Sequence, residues 1–199
     1  MNHRRKVFTL LFCFLILLGG CKRDDNLPKN NDIEIPNGNI SDEVPVDIIE
    51  EKLKSMTLEE KIGQLIVVGF DGVEINEEII NLIEEYKVGG FILFSRNIVD
   101  EFQTLKLLNE IKKINSKNDI PLFLSIDEEG GKVSRLPSVY PRLPEAVKLG
   151  ERNDKDLSYK FGTILGERVK SLGFNMNFSP VLDINSNPKN PVIGNRAFG

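Results

Sequence analysis

The run Ile126-Asp-Glu-Glu-Gly-Gly-Lys-Val-Ser-Arg-Leu136 gathers three carboxylates, two glycines, a lysine and an arginine within eleven residues. Such a set suits a polyhydroxylated ligand. Carboxylates accept from hydroxyls, a guanidinium donates as a planar fork, and charge-assisted bonds of this kind are the strong ones. Asp127 comes directly after Pro121-Leu-Phe-Leu-Ser-Ile126, an apolar run that reads as a buried strand. In α/β folds, sites are built at the carboxyl ends of strands. Position alone leaves two readings for Asp127: a ligand acceptor, or a cap or loop ion pair. Glu128 and Glu129 suit acid/base work, but surface or supporting carboxylates are commoner. Lys132 reads as a solvated side chain. Arg135 either forks onto a ligand, orients Asp127 or forms a structural ion pair. Gly130 and Gly131 most simply serve backbone geometry.

A second segment, Asn190-Pro-Val-Ile-Gly-Asn-Arg-Ala-Phe-Gly199, follows the strand-like Phe178-Ser-Pro-Val-Leu-Asp183 and the turn-rich Asn185-Ser-Asn-Pro188. Asp183 is expected to hold its loop through backbone N–H groups rather than to touch a ligand. Arg196, alone among small and apolar residues, needs a partner. Phe198 reads as a packing anchor. Some chemistries are excluded. There is no Gly-x-x-x-x-Gly-Lys-Ser/Thr loop, no Gly-x-Gly-x-x-Gly fingerprint and no Gly-x-Ser-x-Gly elbow. The cysteines, Cys13 and Cys21, and the single histidine, His3, all precede residue 22. The rest of the chain therefore has no disulfide, no cysteine or histidine catalyst and no metal site built on either residue.

The elements that must position these segments alternate between helix and strand. Asp47–Ser55 is amphipathic through Ile48, Ile49 and Leu53. Thr57-Leu-Glu-Glu60 is a capping box that opens a second helix. Leu65–Gly69 reads as a first strand, and Asn76 caps a helix that runs to about Tyr86. Val88–Phe94 is the second strand, and Asp100-Glu-Phe-Gln103 starts a helix that ends near Asn115. Leu122–Ile126 is the third strand. A helix over about Asp154–Leu172 leads to a fourth, Phe174–Leu182. Strands that are apolar on both faces and alternate with helices predict a parallel sheet covered by helices. Four such units are half of a (β/α)8 barrel, which usually needs about 250 residues. A complete doubly wound sheet is the alternative. It is disfavoured because no helix follows the last strand, so the chain is expected to be an N-terminal piece.

The first twenty residues read as a signal peptide, with Arg4, Arg5 and Lys6 ahead of the apolar run Val7–Leu18. Leu18-Gly19-Gly20-Cys21 resembles a bacterial lipobox, which implies a lipidated Cys21. An uncleaved membrane anchor is the alternative. Residues 21–46 are polar and aperiodic and read as a flexible tether. Residues 47–199 are the folded domain. Residues 1–20 carry three charged side chains, all positive, so their removal takes the formal net charge from −4 to −7. An acidic body without a basic stripe argues against nucleic acid as a partner.

Taken together, five segments in order resemble the N-terminal domain of glycoside hydrolase family 3, in its bacterial β-N-acetylglucosaminidase (β-hexosaminidase) branch. They are Met56–Leu65, Val88–Phe94, Asp127–Arg135, Asn177–Asp183 and Asn190–Gly199. The resemblance implies that Asp127 holds sugar hydroxyls and that Arg135 and Arg196 contact the sugar. It implies no cofactor or metal. The chain departs from the family's usual residues at Lys132, often Arg, and at Asn195, often Asp. The family's Lys-His-Phe-Pro-Gly-His-Gly loop, whose histidine resembles the acid/base, and its aspartate nucleophile both fall beyond Gly199. No catalytic residue is therefore assigned here, and the 199 residues alone are expected to be inactive. The implied activity is retaining hydrolysis of terminal β-linked N-acetylglucosamine from cell-wall or chitin-type oligosaccharides, by an enzyme lipid-anchored outside the cytoplasm. The alternatives are a family 3 β-glucosidase or β-xylosidase, a non-catalytic glycan-binding or solute-binding lipoprotein, and an inactive truncated remnant.

Overall fold

The computed structural model describes residues 47–199. The signal, the tether and Cys21 lie outside the described residues. The elements are α1 (Ile48–Ser55), α2 (Leu58–Gln64), β1 (Val67–Val68), α3 (Glu77–Glu84), β2 (Gly90–Leu93), α4 (Glu101–Asn115), β3 (Phe123–Ile126), α5 (Ala146–Arg152), α6 (Lys155–Ser171) and β4 (Met176–Asn177).

Five of the six described α-helices begin where a side-chain oxygen takes up free first-turn N–H groups, α5 being the exception. At α2, Glu60 N–H donates to Thr57 Oγ1 at 3.2 Å, and Thr57 N–H donates to Glu60 Oε2 at 2.9 Å. Asn76 caps α3 through Ile79 N–H at 2.9 Å, and Asp100 caps α4 through Gln103 N–H at 2.7 Å. The expected box at α4 is displaced by one residue. Gln103 Oε1 accepts from Val99 N–H at 2.9 Å, while its amide donates to Val73 O at 2.6 Å. Gln103 thus ties the helix start to the loop after β1.

All four strands are parallel, in the order β1-β2-β3-β4. Phe91 and Leu93 of β2 lie in register with Leu124 and Ile126 of β3, and all four are buried. With Ile79, Ile83, Leu107, Leu108, Ile111, Leu165 and Val169 they form the core between sheet and helices. Side chains alternate along a strand, so Ile92, Phe94, Ser125 and Asp127 belong to the other face. That face is the inner one of a barrel wall. The described residues thus form the N-terminal half of a (β/α)8 barrel.

Two strands are shorter than the sequence predicts. Leu65 closes α2 instead of opening β1, its N–H bonding to Ile62 and Gly63 carbonyls. The fourth strand shrinks from Phe174–Leu182 to Met176–Asn177. Phe178 N–H still reaches Ile126 O at 3.0 Å, but Pro180 has no N–H to extend a ladder. Helix α5 was not anticipated. It directly precedes the expected helix over about Asp154–Leu172 and ends at Asn153 in the left-handed region, φ 46°. The amphipathic α1 forms as expected, yet Ile48, Ile49 and Leu53 are exposed among the described residues. No described helix is long and apolar enough to cross a membrane.

Candidate functional site

Strand β3 delivers Asp127 to the carboxyl end of the sheet. Its carboxylate is half-buried and meets no hydrogen-bond donor or ion-pair partner among the described residues. The cap and ion-pair readings therefore fall away there. The next residue is the reverse case. Glu128 is 2% exposed, and its Oε2 accepts from the backbone N–H groups of Arg135 at 2.7 Å and Leu136 at 3.2 Å. It ties down the far end of the loop that Asp127 opens.

Two asparagines hold this strand end. Asn177 accepts from Glu128 N–H at 3.0 Å and donates to Glu128 O at 2.9 Å. Two residues earlier, Asn175 accepts from Leu124 N–H at 2.7 Å and donates to Leu122 O at 2.9 Å. Each side-chain amide imitates one peptide of a pairing strand, so the ladder continues past the short β4. Asp127 is thereby displayed on backbone fixed from both sides.

The turn that follows is built on its glycines. Glu129 N–H bonds Val133 O at 2.9 Å and Val133 N–H returns to Gly130 O at 3.2 Å. Gly130 and Gly131 take φ values of 83° and 54°, a region costly for residues with a Cβ. A Cβ on Gly131 would also lie 2.4 Å from Glu145 Cγ. The turn points Glu129 inward, 8% exposed, where Arg196 forks onto it. Arg196 Nε donates to Oε2 at 2.9 Å and Nη2 to Oε1 at 2.7 Å, and Nη1 reaches Val192 O at 3.2 Å. The bond to Glu129 is the main reason that the guanidinium is held above its ordinary pKa. The charges of Glu129, Asp127 and Asp183 add to this, and burial opposes it.

Arg196 thus has the partner that the sequence called for, and that partner is an internal carboxylate. Neither Glu128 nor Glu129 is a surface group. Arg135 forms no ion pair with Asp127. Its Nε is buried and has no partner among the described residues. Asp183 is exposed and accepts no backbone N–H bond among the described residues, contrary to expectation, although its charge reaches Arg196. Lys132 is exposed, as expected. Asn195 Nδ2 donates to Glu145 Oε2 at 2.9 Å. An aspartate in its place would instead face a like charge, which rationalises Asn at this position.

The Arg196 segment is held against α5. At Gly150 a Cβ would sit only 1.5 Å from Phe198 O, so helix and segment touch through backbone. Ala197 is buried while Phe198 is half-exposed. The packing anchor is therefore the main chain around Ala197 and Phe198 rather than the Phe198 ring. Gly150→Ala should push this segment off α5 and cost about 2 kcal/mol, the usual range for overpacking. Thermal unfolding reads this, and an unchanged Tm would contradict the contact.

Chemically, the site presents one uncommitted acceptor, Asp127, and one buried uncommitted donor, Arg135 Nε, over a network that is otherwise satisfied. Among the described residues, no group of three or more His, Cys, Asp or Glu side chains converges as metal ligands would. A crevice lined by Lys52, Gln64, Lys87, Asn118 and Asp119 lies at the amino ends of the strands, away from Asp127.

Residues 57–199 match the family described as the glycosyl hydrolase family 3 N terminal domain. The chain belongs to this family. It is 37% identical to beta-hexosaminidase A of Pseudoalteromonas piscicida over 127 residues, covering 61% of this chain and 21% of that protein. It is 32% identical to the beta-hexosaminidase of Haemophilus ducreyi over 140 residues, 68% of this chain and 39% of the relative. A family 3 beta-N-acetylglucosaminidase from Paenibacillus sp. superimposes with a TM-score of 0.69 at 44% identity, covering 73% of this chain and 28% of that one. NagZ from Neisseria gonorrhoeae, solved with N-trifluoroacetyl-D-glucosamine, gives 0.57 at 31% identity, covering 67% and 40%. The chain spans between 21% and 40% of the length of these relatives.

Proposed function

We propose that this family 3 chain is part of a retaining β-N-acetylglucosaminidase, acting on terminal non-reducing N-acetylglucosamine of cell-wall or chitin-type oligosaccharides. The carrying observation is Asp127, a carboxylate without an internal partner at a strand end where the adjacent Glu128 and Glu129 are fully engaged. A carboxylate so placed accepts from two neighbouring hydroxyls, and bonds to a charged acceptor are strong in a site that excludes water. Arg135 donates from its terminal nitrogens, which have no hydrogen-bond partner among the described residues, its Nε being buried away from a ligand. Arg196 contributes through the Nη hydrogens that Glu129 and Val192 leave free and by holding the turn below the sugar. Retaining hydrolysis proceeds through a carboxylate attack at the anomeric carbon and hydrolysis of the glycosyl-enzyme. No residue of 47–199 is given either chemical role. The names of the hexosaminidase relatives support the choice of sugar.

The test is a comparison of chromogenic β-N-acetylglucosaminide, β-glucoside and β-xyloside with the protein as the cell makes it. Preference for the first is the expected result. Preference for either of the others would reassign it within the family, and binding without turnover would make it a glycan-binding protein. The leader and the tether support a further part of the reading, an exported protein held to the outer side of the cell membrane by lipid on Cys21. Cys21→Ala should move the protein from the sedimented membrane fraction to the soluble one. Retention on membranes in that variant would rule out the lipid.

A further inference from the structure

One more cation stands at the carboxyl-end rim of the sheet, on the β1 side of Phe94. After β2 the chain makes a single 3-10 turn, Ser95–Asn97. The turn is pinned by the fully buried Asn97, whose Nδ2 donates to Phe70 O at 3.0 Å and Gly72 O at 2.8 Å, and whose Oδ1 accepts from Phe94 N–H at 2.9 Å. It presents Arg96. Nε of Arg96 donates to Asp71 at 2.7 Å, and the guanidinium carbon lies 4.8 Å from the centroid of the Phe94 ring.

The register shows which way this group faces. Leu93 pairs with Ile126, so Phe94 and Asp127 are the next residues on adjacent strands and share the inner face. Gly69, beyond β1, shares that face by the same alternation. A Cβ built there would be 3.1 Å from the Phe94 ring and 3.6 Å from Nη2 of Arg96. Arg96 therefore lies over the inner face at the carboxyl ends of the strands. Its side chain is 51% exposed, and its two terminal nitrogens have no partner among the described residues. Phe94 acts as a rest for the guanidinium, because its face is already covered. The Asp71 contact is too exposed to be worth more than about 1 kcal/mol. It orients Arg96 without consuming the outer edge of its fork.

We propose that Arg96 is a sugar-binding residue of this site, donating to hydroxyl oxygens of the same monosaccharide whose hydroxyls Asp127 accepts. This rests on the glycan-binding reading above. A sugar hydroxyl is both donor and acceptor, so an acceptor and a planar donor on one rim satisfy both roles. Arginine differs from lysine here because only the guanidinium spans two oxygens.

Isothermal titration of the full protein with N-acetylglucosamine, glucose and xylose separates the two claims. The sugar that binds best tests the substrate reading, and Arg96 is then scored on that sugar. Arg96→Gln and Arg96→Lys should each weaken binding about tenfold, equivalent to about 1.4 kcal/mol, with Tm unchanged. Asp71→Asn, which breaks the same ion pair but keeps the guanidinium, should lose at most about threefold, on the order of 0.6 kcal/mol. Wild-type affinity in Arg96→Gln overturns the proposal. So does an equal loss in Asp71→Asn, since the ion pair and not the donor would then be what matters. If glucose or xylose binds best, the N-acetylglucosamine reading fails and Arg96 is still judged.

Discussion

Alanine at position 127 will lower kcat/KM for a chromogenic β-N-acetylglucosaminide by about a hundredfold to ten-thousandfold, the loss of two charge-assisted hydrogen bonds at about 1.5–3 kcal/mol each. The same change will leave Tm nearly untouched. The carboxylate is half-buried but makes no internal hydrogen bond or ion pair among the described residues, so the fold loses no bonded partner and the cost stays well below the activity loss, on the order of 0.5 kcal/mol. Asp127→Asn keeps the shape and one acceptor and should fall between the two. The separation of activity from stability is the point of the experiment. Near wild-type kcat/KM would remove Asp127 from sugar binding. A Tm loss that parallels the activity loss would make it a structural residue after all.

Glu129→Ala should behave in the opposite way, with stability falling first. It strands Arg196, whose fork is otherwise filled by Glu129 at 2.7 and 2.9 Å. Breaking a buried pair by removing one member costs about 3–5 kcal/mol. Arg196 keeps 27% side-chain exposure, so the lower end is expected. Glu129→Gln, which retains one acceptor, should cost less than half as much. Chemical denaturation of the two variants checks the order, and equal stabilities would mean that the pair carries no net weight. The pH dependence from the arginine side follows in sign. The guanidinium is raised above its ordinary value, so its contribution is fully present below the unfolded value and is lost only as pH climbs through the still higher folded value. Between about pH 5 and 9 arginine stays charged, and Arg196 itself will contribute no change in stability there.

Much of the architecture was legible because it depends on short-range patterns. Thr57, Asn76, Asp100 and Asp154 each cap a helix where the sequence places them. The apolar runs of β2 and β3 pair as buried parallel strands. Asp127 at a strand end, the Gly-Gly turn and the family likeness were legible in the same way. Helix α5 was missed because Ala146-Val-Lys-Leu-Gly-Glu-Arg152 is short and has no side-chain cap bond at Glu145. The length of β4 was overestimated because an apolar stretch announces burial without announcing a partner to pair with.

Three consecutive carboxylates, Asp127, Glu128 and Glu129, have nearly the same local signature, and no local pattern ranks them. By itself the sequence determined the family, the half-barrel and the strand end that carries the three. Their separate tasks depend on contacts that only folding makes: the carboxylate of Glu128 is taken by the N–H groups of Arg135 and Leu136. Asn177, 49 positions away, clamps the backbone of Glu128, and Arg196, 67 positions away, neutralises Glu129. Asp127 meets neither and stays open to a ligand. Only the tertiary structure decided this, because a carboxylate is spent or left available according to which donors the fold brings within about 3 Å of it.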